Sequence, residues 1–223
     1  MSEHAPSTVG LAHHFDDLEQ QHETGTLGMW AFLVTEVLFF GGLFGAYAVY
    51  RFLYPEAFMR ASAHLDVNLG GINTIVLIFS SLTMALTVYA AQKGSKNGII
   101  VGLLSTMLFG SVFLGVKVFE YHDKWVHHLI PGPGFQFNGV PGGHEQLYFA
   151  LYFAMTGVHA FHMIIGMAIM VWMIPKARRG EFTPGHHPLV ENFGLYWHFV
   201  DIVWIFLFPL LYLIGAHEAG VHH

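Results

Sequence analysis

The chain has 223 residues, of which 54% are hydrophobic and only 11% charged, with 21 Phe and a formal net charge of −6. Soluble domains carry about 25% charged residues, so this chain lacks the polar surface of a soluble globule and reads as a membrane protein. It contains no Cys, which excludes disulfides, iron–sulfur clusters, thiolate zinc sites and c-type haem attachment, and its negative charge gives nucleic acid no electrostatic basis.

Residues 1–27 form a polar, acidic tail with no Lys or Arg before Arg51. A secretory signal needs a basic start and an early apolar stretch, so the first membrane helix is expected to remain as an anchor. A membrane helix needs about 20 mainly apolar residues, and five stretches qualify: 28–52, 71–91, 98–121, 147–174 and 194–215. The first carries Glu36 within an apolar run and is expected to end at Tyr54-Pro55. The second ends at Lys93-Gly94. At the outer end of the third, Lys117, Glu120 and Lys124 follow one another at one-turn spacing and read as an interfacial, snorkelling ion pair. Pro131-Gly132-Pro133-Gly134 and Pro141-Gly142-Gly143 then fill the longest loop. The fourth span carries His159 and His162 and is expected to stop at Pro175-Lys176. The fifth carries His198 and Asp201, and residues 216–223 form a His-containing tail. Small residues at Gly41, Gly45, Gly102 and Gly110 suit close helix packing.

The expected fold class is therefore all-α: a polytopic membrane protein with five transmembrane helices in a bundle. Basic loop residues set the orientation. With the N-terminus cytoplasmic, Lys93, Lys96, Lys176, Arg178 and Arg179 lie inside, and Arg51, Arg60, Lys117 and Lys124 outside. The C-terminus is then periplasmic.

Ionisable groups inside a bilayer cost several kcal/mol and persist where they face protein and find partners. At 1.5 Å per residue, Glu36 and Asp201 lie about 10–12 Å from the inner face and His162 about 18 Å, so Glu36, His162, His198 and Asp201 are expected near one layer, with His159 one turn further out, the five forming a buried polar cluster. A Glu36 bond to His159 or His162 would satisfy both partners. Three readings fit such a layer: a structural cluster, a proton path, or a metal or haem site. A b-type haem would use His159 or His162 opposite His198. A di-metal bundle needs Glu-x-x-His pairs, which none of the five spans carries, so no metal ligand is assigned. Among the tail histidines, His4, His13, His14, His22, His217, His222 and His223 lack fixed ligand spacing and read as solvated. Candidate lipid head-group contacts are Arg51, Arg60 and Lys93.

Five stretches together carry a family resemblance. They are Glu36-Val37-Leu38-Phe39-Phe40; Leu69 to Ser81 with Asn73-Thr74 and Ser80-Ser81; Glu120-Tyr121; Gly157-Val158-His159-Ala160-Phe161-His162-Met163-Ile164-Ile165-Gly166; and Tyr196-Trp197-His198-Phe199-Val200-Asp201. On them the chain resembles subunit III of the haem–copper terminal oxidases, in its short five-helix bacterial form. The longer mitochondrial type has two additional helices ahead of the Glu36 helix and holds phospholipid in the resulting cleft. The resemblance implies a subunit of the bacterial inner membrane with no catalytic centre, haem or copper of its own, those cofactors residing in partner subunits. It implies packing against catalytic subunit I and subunit II, association with other respiratory-complex subunits, binding of phospholipid, and support of proton uptake. Some quinol-oxidase versions carry Asp where this chain has Glu36, which favours cytochrome c as the electron donor. A quinol oxidase subunit III or a nitric oxide reductase accessory subunit is the family alternative. A b-type cytochrome or metal carrier using His159, His162 and His198 is the alternative of another class.

Overall fold

The computed structural model describes residues 17–141, 143–184 and 187–215. The first sixteen residues and the 216–223 tail lie outside the described residues. Among the described residues six helices follow in order: α1 (Leu18–Leu53), α2 (Pro55–Ser62), α3 (Val67–Gln92), α4 (Lys96–Val126), α5 (Glu145–Arg179) and α6 (Pro188–Tyr212). All but the short α2 are long and apolar enough to cross a membrane. Their outward faces are apolar, with Leu38, Phe52 and Phe119 at 70%, 86% and 77% exposure, as lipid contact requires.

Local chemistry sets the helix ends. The Asp17 carboxylate accepts from Gln20 N at 2.7 Å, Asp66 from Asn68 N at 2.8 Å and Ser95 Oγ from Gly98 N at 3.3 Å. Each satisfies an amide that the first turn would leave open. Helix α1 begins ten residues ahead of the expected start at Gly28, because Asp17 caps a polar turn that continues into the apolar run. Pro55 does not simply end that helix but serves as the first residue of α2, where its missing N–H is harmless. Helix α5 continues through Pro175 to a left-handed cap at Gly180, since a proline so close to the end removes little of the ladder. There Arg179 Nε donates to Glu181 Oε1 at 2.6 Å. This bond, reinforced by Lys176, holds the Glu181 carboxyl below the usual carboxylate range. The all-α expectation has one small exception: Gln136–Phe137 pairs antiparallel with Val140–Pro141. Asn138 and Gly139 both have positive φ, which an Asn-Gly hairpin turn supplies at little cost.

Helices α3 and α4 form an antiparallel hairpin, α6 packs on α3 and α5, and α1 leans on α6 and α5. The α3–α4 contact is close at Gly102, where a Cβ would stand 2.0 Å from Thr87 Oγ1 and 3.3 Å from Thr87 Cα. A Cβ at Gly110 would meet Trp197 at 3.3 Å, whereas one at Gly41 or Gly45 meets nothing within 4 Å. The paired substitutions therefore separate packing from propensity. Gly102→Ala is expected to destabilise the bundle by about 1–3 kcal/mol through overpacking, despite a helix-propensity gain of up to about 1 kcal/mol. Gly41→Ala is expected to be neutral or mildly stabilising. Denaturation midpoints in detergent would check both, and equal midpoints would mean that the α3–α4 contact is looser than drawn.

Candidate functional site

Helix α1 turns Leu33, Phe40 and Tyr47 inward, and Glu36 sits on the edge of that face. Its Oε2 lies 3.1 Å from His162 Nε2 on α5. The other ring nitrogen, Nδ1, lies 2.8 Å from the Val158 carbonyl oxygen, and a carbonyl only accepts, so Nδ1 carries a hydrogen. The Glu36–His162 contact then needs one further proton, held either as Glu36–OH···N or as carboxylate···H–N of an imidazolium. Either way the pair holds a single movable proton and no net charge. Glu36 and His162 side chains are only 18% and 13% exposed. Phe40 flanks the imidazole at 5.5 Å between centroids, and Tyr196 Oη donates to the His162 carbonyl at 2.8 Å.

The other members of the expected layer face elsewhere. His159, three residues from His162, is rotated about 60° around α5, and in a packed bundle that reaches a different interface. It is 1% exposed and lies against Phe113 of α4 and Trp204 of α6, each 5.4 Å away between centroids. His198 meets α3, with Nδ1 at 2.7 Å from Ser81 Oγ. Asp201 also faces α3 and is 3% exposed. Ser81 lies beside it, yet neither carboxylate oxygen has a hydrogen-bond partner of proper geometry among the described residues. The five groups thus occupy three separate helix contacts. His159, His162 and His198 do not converge on a common space, so the geometry for bis-histidine haem ligation is lacking. No cluster of three His, Asp or Glu suited to a metal is found among the described residues.

A correction concerns Lys117 and Glu120. They form the expected ion pair but do not snorkel toward water: each is 4% exposed. Lys117 Nζ donates to Glu120 Oε2, Tyr152 Oη and Tyr212 Oη, all at 2.9 Å, and Tyr212 Oη donates to Glu120 Oε1 at 2.6 Å. The ammonium also lies 5.3 Å from the centroid of the Trp204 ring. All three ammonium hydrogens are thereby used, and the pair locks α4 to α5 and α6. The signal was in α4 itself: Val118 and Phe119, at 67% and 77% exposure, take the outward face. Lys117 and Glu120 must then continue the inward stripe of Thr106, Gly110 and Phe113. Tyr152 and Tyr212 carried no such signal and went unrecognised.

Of the basic candidates, Arg60 is engaged, with Nη2 2.8 Å from Glu145 Oε1 and Nη1 3.7 Å from Glu56 Oε2. Lys93 Nζ stands 5.6 Å from the centroid of the Tyr89 ring. Arg51 lines a groove of about 550 Å³ together with Tyr47, Phe52, Met59, Leu210 and Ile214. One basic head above an apolar trough suits an amphipathic ligand.

Comparison with known proteins gives a consistent pattern. The family described as cytochrome c oxidase subunit III matches residues 13–216. A cytochrome c oxidase subunit 3 from Thermostichus vulcanus is 32% identical over 92% of this chain and 94% of its own length. A cytochrome bo(3) ubiquinol oxidase subunit 3 from Pseudomonas putida is 30% identical over 87% of this chain and 89% of its own. A heme-copper oxidase subunit I+III from Aeropyrum pernix is 34% identical over 83% of this chain, which covers 22% of that longer protein.

Proposed function

The chain belongs to the cytochrome c oxidase subunit III family, and from that premise we propose that it is the non-redox third subunit of a proton-pumping terminal oxidase. In this reading it sits in the bacterial inner membrane, N-terminus cytoplasmic, beside subunits I and II of a complex passing electrons from cytochrome c to oxygen. The family match from residue 13 to 216 carries the reading. The fused subunit I+III relative supports packing against the catalytic subunit, since there the two are parts of one polypeptide. The quinol reading has support of its own in the ubiquinol oxidase relative. Haem and copper belong to the partner subunits. Purification of the complex in mild detergent tests this. Co-elution with two larger subunits bearing haem and copper, and oxidation of reduced cytochrome c, are expected. Elution alone with a Soret band would overturn the reading, and turnover with quinol alone would select the second.

The role proposed for the subunit has two parts. The Glu36–His162 pair holds α1 to α5 and keeps one proton within the bilayer, and that proton can pass from one partner to the other without creating net charge. The Arg51 groove takes a phospholipid, whose head group meets the guanidinium while an acyl chain lies against Phe52, Met59 and Leu210. A basic residue near a membrane surface contributes about 1 kcal/mol toward an anionic head group. Arg51→Gln is therefore expected to cut retention of anionic phospholipid about fivefold, read by mass spectrometry of the purified complex. Unchanged lipid retention would remove Arg51 as a contact.

A further inference from the structure

Three polar side chains in the interior, from three helices, have no protein hydrogen-bond partner among the described residues: Asn73 on α3, His159 on α5 and Asp201 on α6. They are 1%, 1% and 3% exposed. The helix register brings them to neighbouring levels. Trp204 Nε1 donates to Thr74 Oγ1 at 3.1 Å, and the same indole lies 5.4 Å from the His159 ring. Asn73 is one residue from Thr74 and Asp201 three from Trp204, on helices that run in opposite directions, so at 1.5 Å per residue the two lie about 6 Å apart along the bundle axis. Asn73 belongs to the buried stripe of α3 with Gly70 and Leu77, and Asp201 to that of α6 with Trp197 and Trp204.

The neighbouring donors are already committed. Lys117 spends its hydrogens on Glu120, Tyr152 and Tyr212. Trp204 Nε1 bonds Thr74, Trp197 Nε1 bonds Ser80 at 3.0 Å, and Ser81 Oγ meets His198. The Ser81 hydroxyl, which lies beside Asp201, can give it one bond when His198 Nδ1–H is the donor to Ser81, which leaves the second Asp201 oxygen, Asn73 and His159 open. The open groups are mixed in kind: an amide offers donors and acceptors, a neutral imidazole one of each, and a carboxylate acceptors. A cation would need several oxygen ligands, whereas this set brings two nitrogen-bearing groups and a single carboxylate. A ligand that both donates and accepts, and is small enough for a packed core, is water, which makes about three bonds when buried.

We propose that the interior between α3, α5 and α6 is a hydration site in which about two or three ordered water molecules join Asn73, His159 and Asp201. These waters complete the polar core at the level of Trp204, one turn from the Lys117–Glu120 pair, and hold His159 in place where no side chain does.

The test uses the assembled oxidase in lipid nanodiscs. A map fine enough to show buried water in the catalytic subunit is expected to show density within about 3.2 Å of a His159 ring nitrogen and an Asp201 carboxylate oxygen. Thermal retention of the subunit supplies the second measurement. Replacing a dry, unpaired polar group by an apolar one of similar size is neutral or stabilising, whereas removing one that holds water strands the water's remaining partners. Asn73→Leu and His159→Phe are therefore expected to lower the retention midpoint, and Asn73→Ser, which keeps a donor and an acceptor, to lower it less. Protein-only density through the gap, ion-like density about 2.3–2.6 Å from Asp201 oxygens, or an unchanged or raised midpoint in both apolar variants would overturn the proposal.

Discussion

Lys117→Met is expected to be the most damaging single substitution in the bundle, costing about 3–5 kcal/mol of stability. The ammonium and the Glu120 carboxylate are both 4% exposed, in a chain whose surroundings at that depth are side chains and lipid. Removing the cation leaves Glu120 with the Tyr212 hydroxyl as its bonded partner among the described residues and strips one acceptor contact from each of two tyrosines. Much of the loss is the stranded anion rather than the pair's own net worth, because desolvation offsets most of the Coulomb gain. The double variant Lys117→Met, Glu120→Leu should therefore recover most of the loss, with Tyr152 and Tyr212 the remaining open groups. The check is a double-mutant cycle on the midpoint of SDS titration. A single-variant cost below about 1 kcal/mol would mean that solvent or lipid head groups reach the pair, as they do at a surface ion pair.

That pair also marks the limit of what the linear sequence discloses. The five spans were legible because about 20 apolar residues in a row have few other uses. Glu36 and His162 were legible as partners because matching depth and the cost of solitude point the same way. Which face a residue takes is harder. His159 and His162 look equivalent at a spacing of three, yet the rotation between them sends one to α1 and the other to α4 and α6. Lys117 and Glu120 near a helix end look like residues reaching for water, and only Val118 and Phe119 on the opposite face show that they point inward. Tyr152 and Tyr212 belong to helices 35 and 95 residues away from Lys117, and nothing local announces such a meeting. The proline at 175 misled in the opposite sense: it signals a stop, but a helix one turn from its end loses little by ignoring it.

Removing this subunit from the oxidase is expected to leave the haem spectrum intact while shortening the enzyme's working life. No redox centre is proposed to reside here, so initial turnover should persist at a reduced rate and then decay during sustained turnover. The cause lies at the boundary with the catalytic subunit. Loss of a packed neighbour exposes that boundary to mobile lipid, and groups that take up protons near it shift their affinities as their solvation changes. Glu36→Ala should do less than deletion, because it removes one partner and not a whole interface. It strands His162 Nε2 at a cost of about 1–3 kcal/mol and abolishes the neutral proton-holding pair, while α1 keeps Phe40 and Tyr47 in the core. Its effect should therefore appear in proton uptake before it appears in assembly. Glu36→Gln retains a hydrogen-bonding group toward His162 without the exchangeable proton, and separates the two contributions. If it behaves as wild type in rate and lifetime, the pair only packs; if it follows Glu36→Ala, the shared proton matters. The decisive records are an absolute spectrum and an oxygen-consumption trace with and without the chain. A haem or copper signal that disappears on deletion, with the other subunits still assembled, would place redox chemistry in this subunit after all.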